Sequence, residues 1–223
     1  MRKSPRVMIA FLVLAAALSA VQAAAGRQEG IPPPAEADKN VKKFLDDHRH
    51  QWRDENVTAA DGKFLYDFII KHGYTRALEI GTSTGHSGIW IAWALSKTGG
   101  RLTTIEINQA RYEKALANFR EAGLVGVIDA RLADAHELVP ELKGPFDFVF
   151  VDADKDWYEN YFKMLLPKLD IGGCFAAHNV LNLEFMHGVK EFLDYARSLP
   201  EVQTTIEESG GSGISLSFKK KLS

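Results

Sequence analysis

Two glycines mark a turn that suits close contact between backbone and ligand. Gly81 and Gly85 follow an apolar run that ends at Ile80, and they are separated by three residues. Glycines here let the backbone approach a ligand, and the start of the following helix offers unpaired N–H groups to a carboxylate. Dinucleotide sites use a different spacing, Gly-x-Gly-x-x-Gly, whose middle glycine admits a pyrophosphate. By themselves the two glycines fit a plain strand-to-helix turn equally well.

Four acidic residues narrow the choice of ligand. Glu106 ends an apolar run, and from a strand end its carboxylate can accept both hydroxyls of a ribose. Asp134 and Asp152 follow two further runs, and Asp134 stands where an adenine amino group would lie. Glu79 lies inside an apolar strand, where a buried acid needs a partner. Such an acidic cleft suits a cationic sulfonium cofactor and repels the phosphates of a nicotinamide dinucleotide.

Alternating strands and helices position these residues. Strands are predicted over residues 76–80, 101–107, 127–132, 146–151, 173–177, 202–206 and 214–218. Helices are predicted over residues 38–53, 59–72, 89–95, 109–122, 135–142, 156–169 and 184–199. Repeated strand–helix units force parallel neighbours, whereas the last two strands, joined through residues 210–213, can form a hairpin. We expect an α/β fold with a mostly parallel seven-stranded sheet, one antiparallel strand and helices on both faces.

The composition fits a globular protein with one continuous core. Of 223 residues, 46% are hydrophobic and 25% charged, and the net charge is −2. No basic stripe is present, so we expect no nucleic-acid partner. Cys174 is the one cysteine, which rules out an intramolecular disulfide, and its apolar neighbours predict a buried thiol rather than a nucleophile.

The N-terminal residues 1–25 have the layout of a secretory signal peptide. Positive charges within residues 2–6 precede an apolar run and then small residues that suit cleavage after Ala23 or Ala25. An uncleaved anchor, attached to the membrane through residues 7–25, is the second interpretation. Both predict a periplasmic, secreted or anchored protein, which conflicts with a cofactor made in the cytosol.

A linker and a single domain are expected to follow the N-terminal segment. Residues 26–37 contain three consecutive prolines and predict a stiff linker. The folded domain is therefore expected over residues 38–223.

The chain resembles the cation-dependent O-methyltransferases, the family of catechol and caffeoyl-CoA O-methyltransferases. The resemblance extends from about Asn56 to Phe218 and is most specific at Phe148–Asp156, followed by Tyr158 and Tyr161. It implies a Rossmann-like methyltransferase domain, S-adenosylmethionine as methyl donor and a small phenolic or catechol-like acceptor. It assigns cofactor contacts to Val57, Glu79, Gly81, Ser87, Glu106, Asp134, Ala135 and Asp152.

The resemblance also assigns the reacting groups. It makes Lys155 the general base and places a divalent cation on Asp152 and an Asp-Asn pair, where this chain has His178 and Asn179. Because Mg²⁺ prefers oxygen ligands, the set Asp152, His178 and Asn179 would suit manganese, cobalt, iron or zinc better than magnesium.

His178 and Lys155 each keep other interpretations. Without a metal, His178 could be the general base, because its ordinary pKa suits proton transfer near neutral pH. In a third interpretation His178 only ends a strand. Lys155 could also belong to a solvated charge cluster at a helix start.

The predicted function is an S-adenosylmethionine-dependent O-methyltransferase that methylates a hydroxyl of a small, aromatic acceptor. The alternatives are an S-adenosylmethionine-binding protein that has lost catalysis and a nicotinamide-dependent oxidoreductase, which the glycine spacing disfavours. Residues 211–215 contain no acid, so bidentate recognition of a catechol has no support from this segment. The oligomeric state is left open by the sequence, although helix 38–53 could cover the cleft of a partner in a homodimer.

Overall fold

The computed structural model describes residues 34–52, 56–181, 183–184, 186–208 and 210–222. The predicted signal segment 1–25 and residues 26–33 of the predicted linker lie outside these ranges. Within the described ranges, none of the helices has the length and apolar character needed to cross a membrane.

One seven-stranded sheet forms the centre of the domain. Its strands are β1 Arg76–Ile80, β2 Arg101–Glu106, β3 Ile128–Leu132, β4 Phe146–Val151, β5 Leu169–His178, β6 Val202–Glu207 and β7 Ile214–Lys219. They are ordered β3-β2-β1-β4-β5-β7-β6. Strand β7 runs antiparallel to both β5 and β6, and the other pairs are parallel. This confirms the predicted mostly parallel sheet with one antiparallel strand.

In the part of the chain that the structure describes, seven α-helices connect and cover the strands. They are α1 Pro34–Asp47, α2 Ala59–His72, α3 His86–Thr98, α4 Gln109–Glu121, α5 Ala135–Glu141, α6 Tyr158–Leu165 and α7 His187–Ser198. The single helix expected over residues 156–169 is divided, because short 3-10 turns at Lys155–Trp157 and Leu166–Lys168 flank α6. Pro167 lies in the second turn, where its missing N–H interrupts α-helical hydrogen bonding.

Strand β4 shows why helices cover both faces. Successive side chains of a strand point to opposite faces, so an unbroken apolar strand needs a hydrophobic layer on each side. Phe148 and Phe150 pack into the core formed with helices α1 to α4. Val149 and Val151 pack into the second core, formed with α5, α6 and α7. The sheet is therefore buried on both faces, as the sequence predicted.

Helix α1 differs from its prediction in both extent and contacts. It begins at Pro34, so the last four residues of the expected linker are helical, since proline is tolerated in a first helical turn. Val41 and Phe44 are buried in the core of the same chain. Asp38 accepts a hydrogen bond from the Trp93 indole at 2.6 Å. One face of α1 thus packs on α3 of its own chain, and contact of this helix with a partner's cleft stays a prediction.

Candidate active site

A cavity of about 810 Å³ opens at the carboxyl ends of the central strands. This is where ligands bind in open α/β sheets. Eight predicted site residues line it, namely Gly81, Glu106, Asp134, Ala135, Asp152, Lys155, His178 and Asn179. The other three, Val57, Glu79 and Ser87, are buried beneath its wall rather than exposed on its surface.

The turn after β1 requires glycine for steric reasons. Gly81 has a φ of 94°, and a Cβ atom at this position would lie 2.2 Å from the backbone oxygen of Asp152. Gly85 has a φ of 98° and precedes the first residue of α3. Gly81 lets the end of β1 pack directly against the end of β4, which brings the turn and Asp152 to the same cavity.

Glu106 is fixed by hydrogen bonds at the end of β2. Its Oε2 accepts from the backbone N–H of Ser83 at 2.7 Å, and its Oε1 accepts from the N–H of Asn108 at 2.9 Å. The first bond holds the glycine turn, in which Ser83 has the left-handed φ of 49°. A carboxylate oxygen can accept more than one hydrogen bond, so Glu106 keeps acceptor capacity for a ligand hydroxyl.

Glu79 connects β1 to the neighbouring elements below the cavity. Its Oε2 accepts from the Thr104 hydroxyl, and Ser87 at the start of α3 also hydrogen-bonds to the carboxyl group. Its Oε1 has no hydrogen-bond partner in the part of the chain that the structure describes. Complete burial is the main reason why the pKa of Glu79 rises to about 7. The partner expected for this buried acid is therefore a pair of hydroxyl groups, those of Thr104 and Ser87.

One wall of the cavity contains an aromatic stack that the sequence analysis missed. The His136 ring lies parallel to Trp157 with 3.6 Å between ring centroids, and its Nε2 is 2.9 Å from Asp154 Oδ2. Asp154 Oδ1 accepts a hydrogen bond from the Tyr161 hydroxyl. Asp134 caps α5 by accepting from the backbone N–H of His136 at 2.8 Å. The stack joins the first turn of α5 to the 3-10 turn after β4, so no local sequence pattern could have revealed it.

Four charged side chains of alternating sign form what we call the ion chain, consisting of Asp61, His178, Asp152 and Lys155. His178 Nε2 is 3.3 Å from Asp61 Oδ2, and its Nδ1 is 3.1 Å from Asp152 Oδ2. Lys155 Nζ donates to the other oxygen of Asp152 at 2.6 Å. The ion chain thus runs from the start of α2 to the end of β4.

The two carboxylates determine the charge of His178. Burial alone would lower the pKa of the imidazole, but hydrogen bonds and charges from Asp152 and Asp61 raise it to about 9. Burial likewise opposes ionisation of both carboxyls, yet the contacts with His178 hold the pKa of each below its ordinary value. His178 is therefore an imidazolium at neutral pH. An imidazolium has no lone pair, so the interpretation of His178 as a general base does not fit this arrangement.

Asp61 is a site residue that the sequence analysis did not assign to the site. It belongs to a capping box at the start of α2, in which the Thr58 hydroxyl accepts from the Asp61 backbone N–H at 3.1 Å. Asp61 Oδ2 accepts in turn from the Thr58 backbone N–H at 3.4 Å and from the Thr58 hydroxyl at 2.7 Å. The contact with His178 joins residues 117 positions apart in the chain. An acidic residue at N3 of a helix is ordinary, and only the tertiary fold shows this second use.

The predicted metal set does not fit a metal ion in this geometry. A histidine ligand needs a free lone pair, whereas both ring nitrogens of His178 face carboxylates. Both oxygens of Asp152 are also engaged, by Lys155 and His178. Over the described ranges, no group of three His, Cys, Asp or Glu residues is arranged to hold a metal ion. Asp152, His178 and Asn179 therefore line the cavity without forming a metal centre.

A family model and several curated proteins are similar to this chain in sequence. The family model described as O-methyltransferase matches residues 36–203. Caffeoyl-CoA O-methyltransferase 1 of Zea mays is 38% identical over 139 residues, which cover 60% of this chain and 54% of the maize protein. The Medicago sativa caffeoyl-CoA O-methyltransferase is 33% identical over 156 residues, or 67% of this chain and 62% of that protein. The match thus spans little more than half the length of these curated relatives.

Two solved structures share the fold and moderate sequence identity. The O-methyltransferase TomG from Streptomyces achromogenes, involved in tomaymycin synthesis and solved in complex with S-adenosylmethionine, has a TM-score of 0.70 and 30% identity. That alignment covers 82% of this chain and 91% of TomG. The O-methyltransferase from Bacillus cereus, solved in complex with S-adenosylhomocysteine, has a TM-score of 0.68 and 26% identity. Its alignment covers 85% of this chain and 93% of the Bacillus protein.

Proposed function

The chain belongs to the O-methyltransferase family, and on that premise we propose that it transfers the methyl group of S-adenosylmethionine to a hydroxyl of a small phenolic acceptor. The observation that carries this proposal is the position of Glu106. Its carboxylate lines the cavity while both oxygens hold backbone N–H groups of the adjoining loops. A rigid carboxylate at the end of β2 suits the two hydroxyls of a ribose.

The charge around the cavity supports a sulfonium cofactor. Glu106, Asp134, Asp152 and Asp154 all line the cavity. Carboxylates attract the positive sulfur of S-adenosylmethionine and repel the diphosphate of NAD. We assign the ribose to Glu106 and the adenine side to Asp134 and Ala135. The Streptomyces and Bacillus relatives were solved with S-adenosylmethionine and S-adenosylhomocysteine, which supports the choice of cofactor.

The transfer itself needs alignment and a place for one proton. The acceptor oxygen forms a bond to the methyl carbon, the sulfur–methyl bond breaks with its electron pair going to sulfur, and the hydroxyl proton leaves. An in-line approach held by the protein supplies much of the rate increase. We propose that Lys155, which lines the cavity, accepts this proton.

The contacts of Lys155 agree with this role. Its Nζ donates to Asp152 at 2.6 Å and to the Tyr158 hydroxyl oxygen at 2.8 Å. The hydroxyl hydrogen of Tyr158 points to the carbonyl oxygens of Val151 and His178, so Tyr158 accepts from Lys155. When Lys155 acts as the base, two of its N–H groups keep these two partners, and the lone pair of the amine form accepts the proton of the acceptor hydroxyl.

The acceptor class rests on the relatives and on the size of the cavity. The curated relatives are caffeoyl-CoA O-methyltransferases, whose name states a phenolic acyl thioester. A cavity of about 810 Å³ lies in the range of small-molecule sites. We therefore propose a hydroxylated aromatic compound as the acceptor.

The test is an assay with methyl-labelled S-adenosylmethionine and a panel of catechols, flavonoids and acyl-CoA phenols. We expect label in an O-methylated product, together with an equal amount of S-adenosylhomocysteine. Lys155→Met should lose most of this activity and still bind S-adenosylhomocysteine. If the protein binds the cofactor but labels no acceptor of the panel, the catalytically lapsed alternative replaces this proposal.

A further inference from the structure

Three of the four side chains of the ion chain are almost fully buried. The side chains of Asp61, His178 and Asp152 are 2%, 5% and 11% exposed, and that of Lys155 is 24% exposed. The carboxylates are negative and the imidazolium is positive, and the four charges balance when Lys155 is an ammonium, the form it has after accepting the proton of the acceptor hydroxyl. Charges with so little solvent are stable only when each has partners of opposite sign and good geometry. The ion chain meets that requirement from residues of this chain alone.

Parts of three elements keep His178 in place. Asp61 is positioned by the capping box of α2, through the Thr58 hydroxyl. Gly210, in the loop between β6 and β7, approaches so closely that a Cβ atom there would lie 1.5 Å from Asp61 Oδ1. Asp152 is held from the other side by Lys155. His178 is thus clamped between two carboxylates that are themselves fixed.

This clamp is incompatible with a divalent cation at the same place. A metal on His178 would have to displace Asp61 or Asp152 from a ring nitrogen and remove a proton from the ring. Displacing Asp61 would leave a buried carboxylate without its counter-charge, which is strongly unfavourable. A metal on Asp152 would also have to compete with Lys155 and His178 for its oxygens.

We propose that the His178 imidazolium, clamped by Asp61 and Asp152, takes the place of the divalent cation that the family resemblance puts at this site, so that the protein works without a metal. This inference rests on the proposed function and specifies how that site is charged. The fixed positive charge of His178 balances Asp152 and, with Lys155, favours negative charge on the acceptor oxygen as its proton leaves. A preorganised charge in a site with little water stabilises such an oxyanion without a Lewis acid.

The test is a titration of Mn²⁺ followed by electron paramagnetic resonance, with S-adenosylhomocysteine bound. The wild-type protein should leave the signal of free Mn²⁺ unchanged up to millimolar concentrations. His178→Asp supplies a third carboxylate beside Asp61 and Asp152 and removes the competing charge. It should bind Mn²⁺ at least about tenfold more tightly than the wild type. His50→Asp makes the same exchange at an exposed position in the turn after α1 and should resemble the wild type.

Two results would overturn this inference. One is stoichiometric loss of the Mn²⁺ signal with the wild-type protein; the other is a folded His178→Asp variant that binds no more Mn²⁺ than the wild type. If that variant does not fold, nitrogen-15 spectra of wild-type His178 decide. Protons on both ring nitrogens at neutral pH, unaffected by added Mn²⁺, support the clamp, and a metal-induced change contradicts it. Calorimetry on the same sample tests the proposed function separately, because that function requires S-adenosylhomocysteine to bind. If S-adenosylhomocysteine binds and the Mn²⁺ results contradict the clamp, only this inference fails.

Discussion

Glu106 uses one carboxylate both to build the cleft and to face its ligand. The bonds to the N–H groups of Ser83 and Asn108 connect the turn after β1 with the loop after β2. The position of Glu106 followed from the sequence, because an acid directly after an apolar strand lies at the sheet edge. The hydrogen bond that Glu106 accepts from the turn could not be predicted from the sequence, since it depends on the left-handed backbone of Ser83.

Glu106→Gln should weaken cofactor binding. The amide group places an N–H where a backbone N–H now donates, and it replaces the charged acceptor of the ribose hydroxyls by a neutral one. Hydrogen bonds to a charged group contribute about 1.5–3 kcal/mol, so we expect the Kd of S-adenosylhomocysteine, measured by calorimetry, to rise about tenfold or more. Glu113→Gln, on the exposed face of α4, is the matched control and should bind normally. Equal Kd values for both variants would remove Glu106 from the cofactor site.

His178 makes stability depend on pH in a defined direction. The folded protein raises its pKa from 6.5 to about 9, so folding binds a proton between these values. The stabilisation is complete below about pH 6.5 and is lost as the pH rises through about 9, and it amounts to roughly 3 kcal/mol. Urea unfolding of the wild type and of His178→Gln should show a steeper alkaline loss in the wild type. Parallel curves for the two proteins would contradict the imidazolium.

Elements with a strong local pattern were predicted well. Strands β1 and β4 and helix α2 have the predicted bounds. The segment after β4 was not predicted correctly, because it begins with a 3-10 turn at Lys155–Trp157, where the Lys155 side chain contacts Asp152 and Tyr158, each three residues away. Apolar periodicity alone cannot distinguish a 3-10 turn from the first turn of an α-helix.

Gly81→Ala should disrupt the junction between β1 and β4. Gly99 is the matched control, since its φ of 77° is also left-handed but a Cβ atom there meets nothing within 4 Å. Gly99→Ala should cost about 1–2 kcal/mol for the backbone conformation alone. Gly81→Ala adds a clash with the backbone of Asp152 and should cost clearly more, with loss of S-adenosylhomocysteine binding. Equal urea midpoints for the two variants would show that the close approach is unimportant.

The whole domain was predictable because strand–helix alternation leaves few topologies open. The single antiparallel strand followed from the two final strands, which have no helix between them. The charges and hydrogen bonds of the candidate site could not be predicted from the sequence, because the ion chain joins Asp61, His178 and Asp152 from three separate elements. Sequence could place His178 beside Asp152 at the sheet edge, but the second carboxylate on His178 comes from the start of α2.

The N-terminal residues 1–25 predict that the protein is exported and that this segment is cleaved. As a cleaved signal, they should be missing from the exported protein, whose sequence would begin at Ala24 or Gly26. Leu14→Arg, which interrupts the apolar run, should block this processing. N-terminal sequencing of fractionated cells checks both expectations. An intact Met1 on a cytosolic protein would contradict export.

The central claim, that the cavity at the carboxyl ends of the strands holds S-adenosylmethionine, is tested most directly by calorimetric titration of the wild-type chain with S-adenosylhomocysteine and with NAD. We predict saturable binding of one S-adenosylhomocysteine per chain, weakened in Glu106→Gln, and no measurable heat from NAD. Tight binding of NAD with none of S-adenosylhomocysteine would contradict the account.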